Sequence, residues 1–236
     1  MAEIVCDGRP IREINAEIRR LLSSGAQTVV VRNPGARHNF AVALLQPCHI
    51  ILDGSAGYYC GGLIDGPTVE VKGSAGWGAG ESMLGGRVIV HGNTGNGAGA
   101  AMRGGEVIVH GDAAARAGVS MKGGLLLIAG NCGYMAGFMG QKGTLIVCGD
   151  TGEAFADSMY QTVCYVGGRI AELGNDAVVE EPNSEEMAFL EETLGRCLPH
   201  DVRRRTPGPE KFAKVVAGRK LWTFDKRDWK TWQEAL

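Results

Sequence analysis

Proline, aromatic residues and long apolar runs are all scarce in this sequence: 8 prolines and 6% aromatics in 236 residues. Nowhere do 18 apolar residues follow one another, and the N-terminus carries no basic-then-apolar leader. Neither a membrane-spanning helix nor secretion is therefore expected, and a cytoplasmic location is predicted. An excess of one charge is missing too. A formal net charge of −2 offers no general attraction to nucleic acid or anionic lipid. The dense basic run Arg203-Arg204-Arg205, beside Pro207, Gly208 and Pro209, is expected to be solvated linker. The seven cysteines (Cys6, Cys48, Cys60, Cys132, Cys148, Cys164 and Cys197) include no Cys-x-x-Cys pair and no Cys/His cluster of zinc spacing. They are expected to be buried, soft apolar residues.

What the sequence has in excess is glycine, 37 residues without a collagen triplet. Cutting the chain at its apolar triplets gives six blocks of 19 residues: 49–67, 68–86, 87–105, 106–124, 125–143 and 144–162. A looser block precedes them at 28–48, and Val163 to Val166 begins another. A fixed period of this kind marks a solenoid. The triplets, Val88-Ile89-Val90 and Val107-Ile108-Val109 among them, are β-formers too short for helices. Stacked as parallel strands, they put places two and four of every coil on one face, and both columns are apolar throughout. Behind each triplet runs G-x-x-G-x-x-x-G, as in Gly73/Gly76/Gly80 and Gly92/Gly95/Gly99, softened at Ala114 and Ala156. Glycine there is expected to supply positive φ at corners and close approach of neighbouring coils.

Three further columns carry expectations. Ile64, Met83, Met102, Met121 and Met159 are expected to fill the core, the column slipping to Met139 in one coil. His91 and His110 follow place four, so they should face outward one coil apart; no third donor shares their column (Asp53, Lys72, Ala129, Cys148), which weighs against a metal. Place three should also face outward, yet it holds Ile51, Ile89, Ile108, Leu127 and Ile146, with only Glu70 polar. An apolar stripe on the outside needs a cover, from the terminal helices or from a partner.

The chain divides into an N-terminal strand/helix cap at 1–27, the β-helix at 28–180 and a helical and aromatic tail at 181–236. Pro10 opens a helix with Ile11, Ile14, Ile18 and Leu21 on one face, ended by Ser23-Ser24-Gly25. Asn183 with Glu186 makes a capping box for a helix over 184–194, with Gly195 as its C-cap. Trp222, Phe224, Trp229 and Trp232 follow, to dock on the solenoid or on a partner. The fold class is thus all-β, a parallel β-helix of about seven coils flanked by terminal helices.

Catalytic signatures fail one by one. Gly76-Trp77-Gly78-Ala79-Gly80 lacks the spacing and the following helix of a phosphate loop. Gly118-Val119-Ser120-Met121-Lys122 ends in lysine where a nucleophile elbow needs glycine. The carboxylates of the coils, Asp53, Asp65, Glu70, Glu81, Glu106, Asp112, Asp150, Glu153 and Asp157, appear scattered rather than gathered at one place of the repeat. No catalytic, cofactor-binding or metal-binding residue is assigned. A 19-residue coil is also incommensurate with the 18-residue coil of hexapeptide acyltransferases.

The repeated G-x-x-G-x-x-x-G, with "GNTGNGAGAAMRGG" and "FADSMYQTVCYVGGRIAELG", resembles the GXGXG-type domain over about 28–180. That domain closes the large subunit of glutamate synthase and occurs free-standing in N-methylglutamate synthase (methylamine–glutamate N-methyltransferase). A related domain is the C subunit of formylmethanofuran dehydrogenase, the alternative reading. The resemblance implies a right-handed β-helix without catalytic residues, holding a glutaminase-like amidotransferase subunit against an FMN- and iron–sulfur-binding synthase subunit in a hetero-oligomer. Those cofactors would sit on the partner, and none is expected on this chain. Cys6 lies too far in to be an N-terminal nucleophile. A free-acting β-helix polysaccharide enzyme would instead need longer irregular coils and a charged cluster on one outer face.

Overall fold

Short β-branched triplets separated by glycine-rich corners can pair only with their own repeats, and they do so throughout the computed structural model, which describes residues 1–218. Strands β1 (Ala2–Val5), β2 (Thr28–Arg32), β3 (His49–Asp53), β4 (Thr68–Val71), β5 (Arg87–Val90), β6 (Glu106–Val109), β7 (Lys122–Ile128), β8 (Lys142–Val147) and β9 (Gln161–Val166) stack in chain order, every pair parallel. Val69 faces Val88, which faces Val107, so the register advances by the 19-residue period. The looser first coil advances by 21, from Thr28 to His49. A second line of parallel bridges joins the corners, from Ala56 through Ala75, Thr94, Ala113, Cys132 and Thr151 to Ile170. The protein is a parallel β-solenoid of about seven turns.

The interior is filled by columns. Places two and four are buried in every coil, as are Ala79, Ala98, Ala117 and Ala136 one turn further on. The methionine column is core filling: Ile64, Met83, Met102 and Met121 are fully buried and Met159 nearly so. Its expected slip does not occur. Met139 is exposed, and the column's place is taken by Gly140, with the Thr162 hydroxyl 2.6 Å from where a Cβ would stand. Six of the seven cysteines are buried and all are free; Cys48 is half-buried.

The three glycine columns divide between them the two expected roles, positive φ and close approach of neighbouring coils. Only the last, Gly61, Gly80, Gly99, Gly118 and Gly137, has positive φ in each coil, and Ala156 adopts the same conformation. The first column makes room for the side chain one place beyond it in the preceding coil. Those side chains form a ladder: Ser55, Ser74, Asn93, Asp112, Asn131 and Asp150 each accept a hydrogen bond from the backbone N–H of the next coil, at 2.7–3.1 Å. Asp112 and Asp150 are therefore not scattered but stand at one place of the repeat, where they satisfy corner donors. In the middle column Gly57, Gly76 and Gly95 each receive a ring of the preceding coil, from His38, Tyr58 and Trp77, whereas Gly133 and Gly152 lie against backbone. A Cβ on Gly95 would lie 2.5 Å from Trp77 Cδ1 and 3.0 Å from the Gly76 carbonyl carbon.

Both ends are covered. Helix α1 (Ile11–Ser23) buries Ile14, Ile18 and Leu22 against the first coil, and the Asn15 side chain donates to Asn39 O and accepts from Ala41 N–H. At the far end β10 (Ala177–Glu180) and β11 (Ala213–Ala217) turn antiparallel, β11 pairing with both β9 and β10, so the solenoid stops short of the expected residue 180.

Helix α2 (Ser184–Cys197) has the capping box of Asn183 and Glu186 but runs past Gly195 to a C-cap at Leu198, where Pro199 ends it. Gly195 adopts no positive φ and has open space around it, so the helix passes through. Arg203 closes the short helix α3 (His200–Arg203) and pairs with Glu191 at 2.6 Å, so the basic run is only partly solvated. The four aromatics of the tail, Trp222, Phe224, Trp229 and Trp232, lie outside the described residues.

Candidate functional site

The outer face of the parallel sheet is divided in two. Over its later coils the place-three stripe is buried by the chain itself: Ile108, Leu127, Ile146 and Tyr165 pack with Leu190, Leu194, Cys197, Leu198 and Phe212, and Ile89 lies at the margin. The cover is α2 with the segment after it, so this half of the stripe is not a partner surface. Glu106 pins the helix by accepting from Arg196 and pairing with Arg87, at 2.7 and 2.6 Å. Burial pushes its carboxyl upward, but these two arginines together hold it below the usual carboxylate range.

Over the earlier coils the same face is polar. His91 and His110 do lie one coil apart facing outward, their ring centroids 4.8 Å apart and tilted by 54°. Glu70, the one polar residue of the stripe, accepts from His91 Nε2 at 2.8 Å and His49 Nε2 at 3.1 Å, and pairs with Lys72. Burial raises its carboxyl, and Lys72 and His91 more than offset that, holding it below the usual carboxylate range. Burial, then the neighbouring His91, pushes His110 down to about 4, and its buried Nε2 has no partner among the described residues. With both carboxylate oxygens occupied by donors, Glu70 interrupts the apolar stripe between Ile51 and Ile89 and is not poised to abstract a proton. Among the described residues no group of three His, Cys, Asp or Glu side chains could hold a metal ion. His49 escaped the sequence reading because it sits at place one, outside the histidine column; diagonal neighbours on a sheet face are the signal that would have found it.

The corner side carries a second feature that no motif announced. His38, Tyr58 and Trp77 stack in consecutive coils, with ring centroids 4.3 and 5.3 Å apart and interplanar angles of 15° and 18°. Tyr58 is 47% exposed, Trp77 55%, and Tyr134 further along the column 47%. The Tyr58 N–H donates to His38 Nδ1 at 2.9 Å, fixing the ladder's first ring. Beyond Trp77 the column falls to Asn96 and Ala115, and beside it lies a shallow cleft of about 370 Å³ lined by Tyr59, Trp77, Glu81, Gly97 and Arg116 among others.

Burial pushes the thiols of Cys60, Cys132 and Cys148 up to about 12, and raises those of Cys6, Cys48, Cys164 and Cys197 as well. Among the described residues no helix is long and apolar enough to cross a membrane.

A parallel β-solenoid built on three glycine columns defines a class of protein, and the comparison with known families agrees with it. Residues 27–192 match the GXGXG motif family, and the chain belongs to that family. It is also similar to Protein GlxC of Rhizobium meliloti (strain 1021), 46% identical over 217 residues that span 92% of this chain and 93% of that protein. The resemblance drawn from the glycine spacing to a glutamate-synthase-related GXGXG subunit stands on these matches.

Proposed function

We propose that the chain is a non-catalytic scaffold subunit of a glutamine-amidotransferase-like, FMN-dependent complex of glutamate metabolism, of the N-methylglutamate synthase or glutamate synthase kind. It bridges a glutaminase-like amidotransferase subunit and a flavin- and iron–sulfur-binding synthase subunit. The observation that carries the reading is the contrast between the two outer sides. The sheet stripe is covered by the chain's own α2, whereas the aromatic rings of the corner side are held rigid and left half in solvent. Rigid, exposed rings supply contact area at low entropic cost, which suits a surface that other subunits grip.

A solenoid fits the role because its length is set by coil number and each coil is held by its neighbours, so distant surfaces keep a fixed separation. Catalytic groups would then come from the partner chains. The test is purification of the tagged chain from its native source, with identification of the associated chains and an absorption spectrum. Two further subunits and a flavin spectrum are expected in the complex, and no flavin and no glutaminase activity in the chain alone. Stoichiometric flavin on the isolated chain, or a lone chain at native abundance, would overturn the reading.

A further inference from the structure

The cleft beside Trp77 is built by two departures from the repeat. Place eleven of the coil bears a side chain in most coils, as Tyr59, Arg116, Met135 and Ala154, all in the left-handed backbone conformation. In the two coils next to Trp77 that place is Gly78 and Gly97, in the same conformation but without a side chain. At the ring column, meanwhile, Trp77 is followed by Asn96 and Ala115 before the next ring, Tyr134. Three coil spacings separate the two rings, roughly 14 Å along the axis. The indole therefore has one side stacked on Tyr58 and borders an opening on the other.

A carboxylate without a counter-ion among the described residues lines this opening. Glu81 folds over Gly78, its Oε2 lying 2.6 Å from where a Cβ on that glycine would stand, with the Tyr59 ring beside it. Glu81 is half-buried, yet among the described residues it has no hydrogen-bond or ion-pair partner. Burial raises its carboxyl, and Arg116, though it lines the same cleft, is no part of the cause. A half-buried carboxylate and an exposed indole lining one cleft form a combination that recognises a flat organic cation, through ring quadrupole and ion pair together.

We propose that this cleft is the docking slot for an arginine side chain presented by an extended segment of a partner subunit, its guanidinium stacked on Trp77 and paired with Glu81. The proposal rests on the scaffold reading for the partner and on the cleft's own chemistry for the arginine. Guanidinium fits better than ammonium because it is planar and sheds water more readily.

The test uses the full chain labelled with 15N, with the Trp77 indole resonance assigned by Trp77→Phe. The peptide acetyl-Gly-Arg-Gly-amide is expected to shift that resonance saturably, and acetyl-Gly-Gln-Gly-amide to leave it in place. Glu81→Gln should weaken the arginine peptide by about tenfold. Gly97→Met, which puts into the cleft a side chain that the same backbone conformation carries at Met135, should abolish the shift in a chain that still folds. An unmoved Trp77, an equal response to the glutamine peptide, or undiminished binding by Glu81→Gln would overturn the proposal. So would a native complex that assembles equally well with Glu81→Gln and Gly97→Met. Failure of the scaffold reading is seen separately, as a wild-type chain that purifies without partner subunits whatever the peptide does.

Discussion

Ile108→Lys tests the division between the two outer sides with a magnitude that can be worked out. Ile108 is 1% exposed at the centre of the second core, between the β6 face and α2. Losing its burial costs about 1.5–3 kcal/mol, and an unpaired ammonium in its place costs several more. Glu106 on the same strand cannot neutralise it, being already taken by Arg87 and Arg196. The molecule has a cheaper escape than unfolding. Undocking α2 exposes Leu190, Leu194 and Leu198 at roughly 2 kcal/mol apiece and Cys197 at less, a loss offset by the backbone entropy, about 1–2 kcal/mol, that each freed residue regains, and it returns the lysine to water while the stacked coils persist. The expected result is loss of hydrogen-exchange protection over 184–198 with the strands of the solenoid still protected. Ile108→Val, which costs about 0.5–1.5 kcal/mol, should keep the helix docked. Wild-type protection of α2 in the lysine variant would refute the covered-stripe account and reopen that face to a partner.

Gly95→Val should lower the melting temperature far more than Gly97→Ala. The first drives a branched side chain into Trp77 and the backbone of Gly76, an overpacking cost of about 1–3 kcal/mol or more; the second adds a methyl in open space at a left-handed position that Tyr59 and Arg116 already adopt, at about 1 kcal/mol. Equal melting points would contradict the assigned columns. Acid should loosen α2 before it loosens the coils. Glu106 has its folded-state pKa depressed, so its contribution is present above the unfolded carboxylate value of about 4.3 and disappears as pH falls through the lower folded value. Protection of 184–198 measured between about pH 6 and 3 should show this early loss, and Glu106→Gln should remove it; an unchanged acid profile in that variant would count against the Arg87–Glu106–Arg196 clamp.

Much of the fold was legible because a solenoid writes its period into the sequence. Inward columns tolerate only apolar residues, and every coil repeats the demand, so Val69, Val88 and Val107 could be aligned by eye and the pairing register followed. The ladder at Ser55 to Asp150 was harder, since serine, asparagine and aspartate all meet its one requirement, an oxygen that accepts from the next coil. Residue type varies while the chemistry stays constant, so in the sequence the acids look scattered. The cover of the stripe was not decidable from the strands at all. Leu190, Leu194 and Cys197, at i, i+4 and i+7 of α2, do mark an apolar face, but nothing local says which surface that face meets. The ring ladder was missed for a different reason: with Tyr58 and Trp77 adjacent and Tyr134 three coils on, the column is too sparse to register as a repeat.

Sparse columns are where such a repeat can carry information beyond its own folding. A residue demanded in every coil serves the stack, so its loss is read as instability. A residue found in one or two coils serves something local. Glu70 interrupts an otherwise apolar stripe between Ile51 and Ile89, and there it gathers His49, Lys72 and His91. Trp77 and the bare Gly78 and Gly97 interrupt the corner in the same way, but among the described residues their gain is an open cleft and an unpaired carboxylate, not a filled core. Trp77 returns its stack on Tyr58 to the coils, but the Glu81 carboxylate forms no bond with them among the described residues, and a feature of that kind belongs to a contact outside the stack. The proposed arginine slot supplies that contact, and it accounts for the aromatic exposure and the lone charge of Glu81 with one partner.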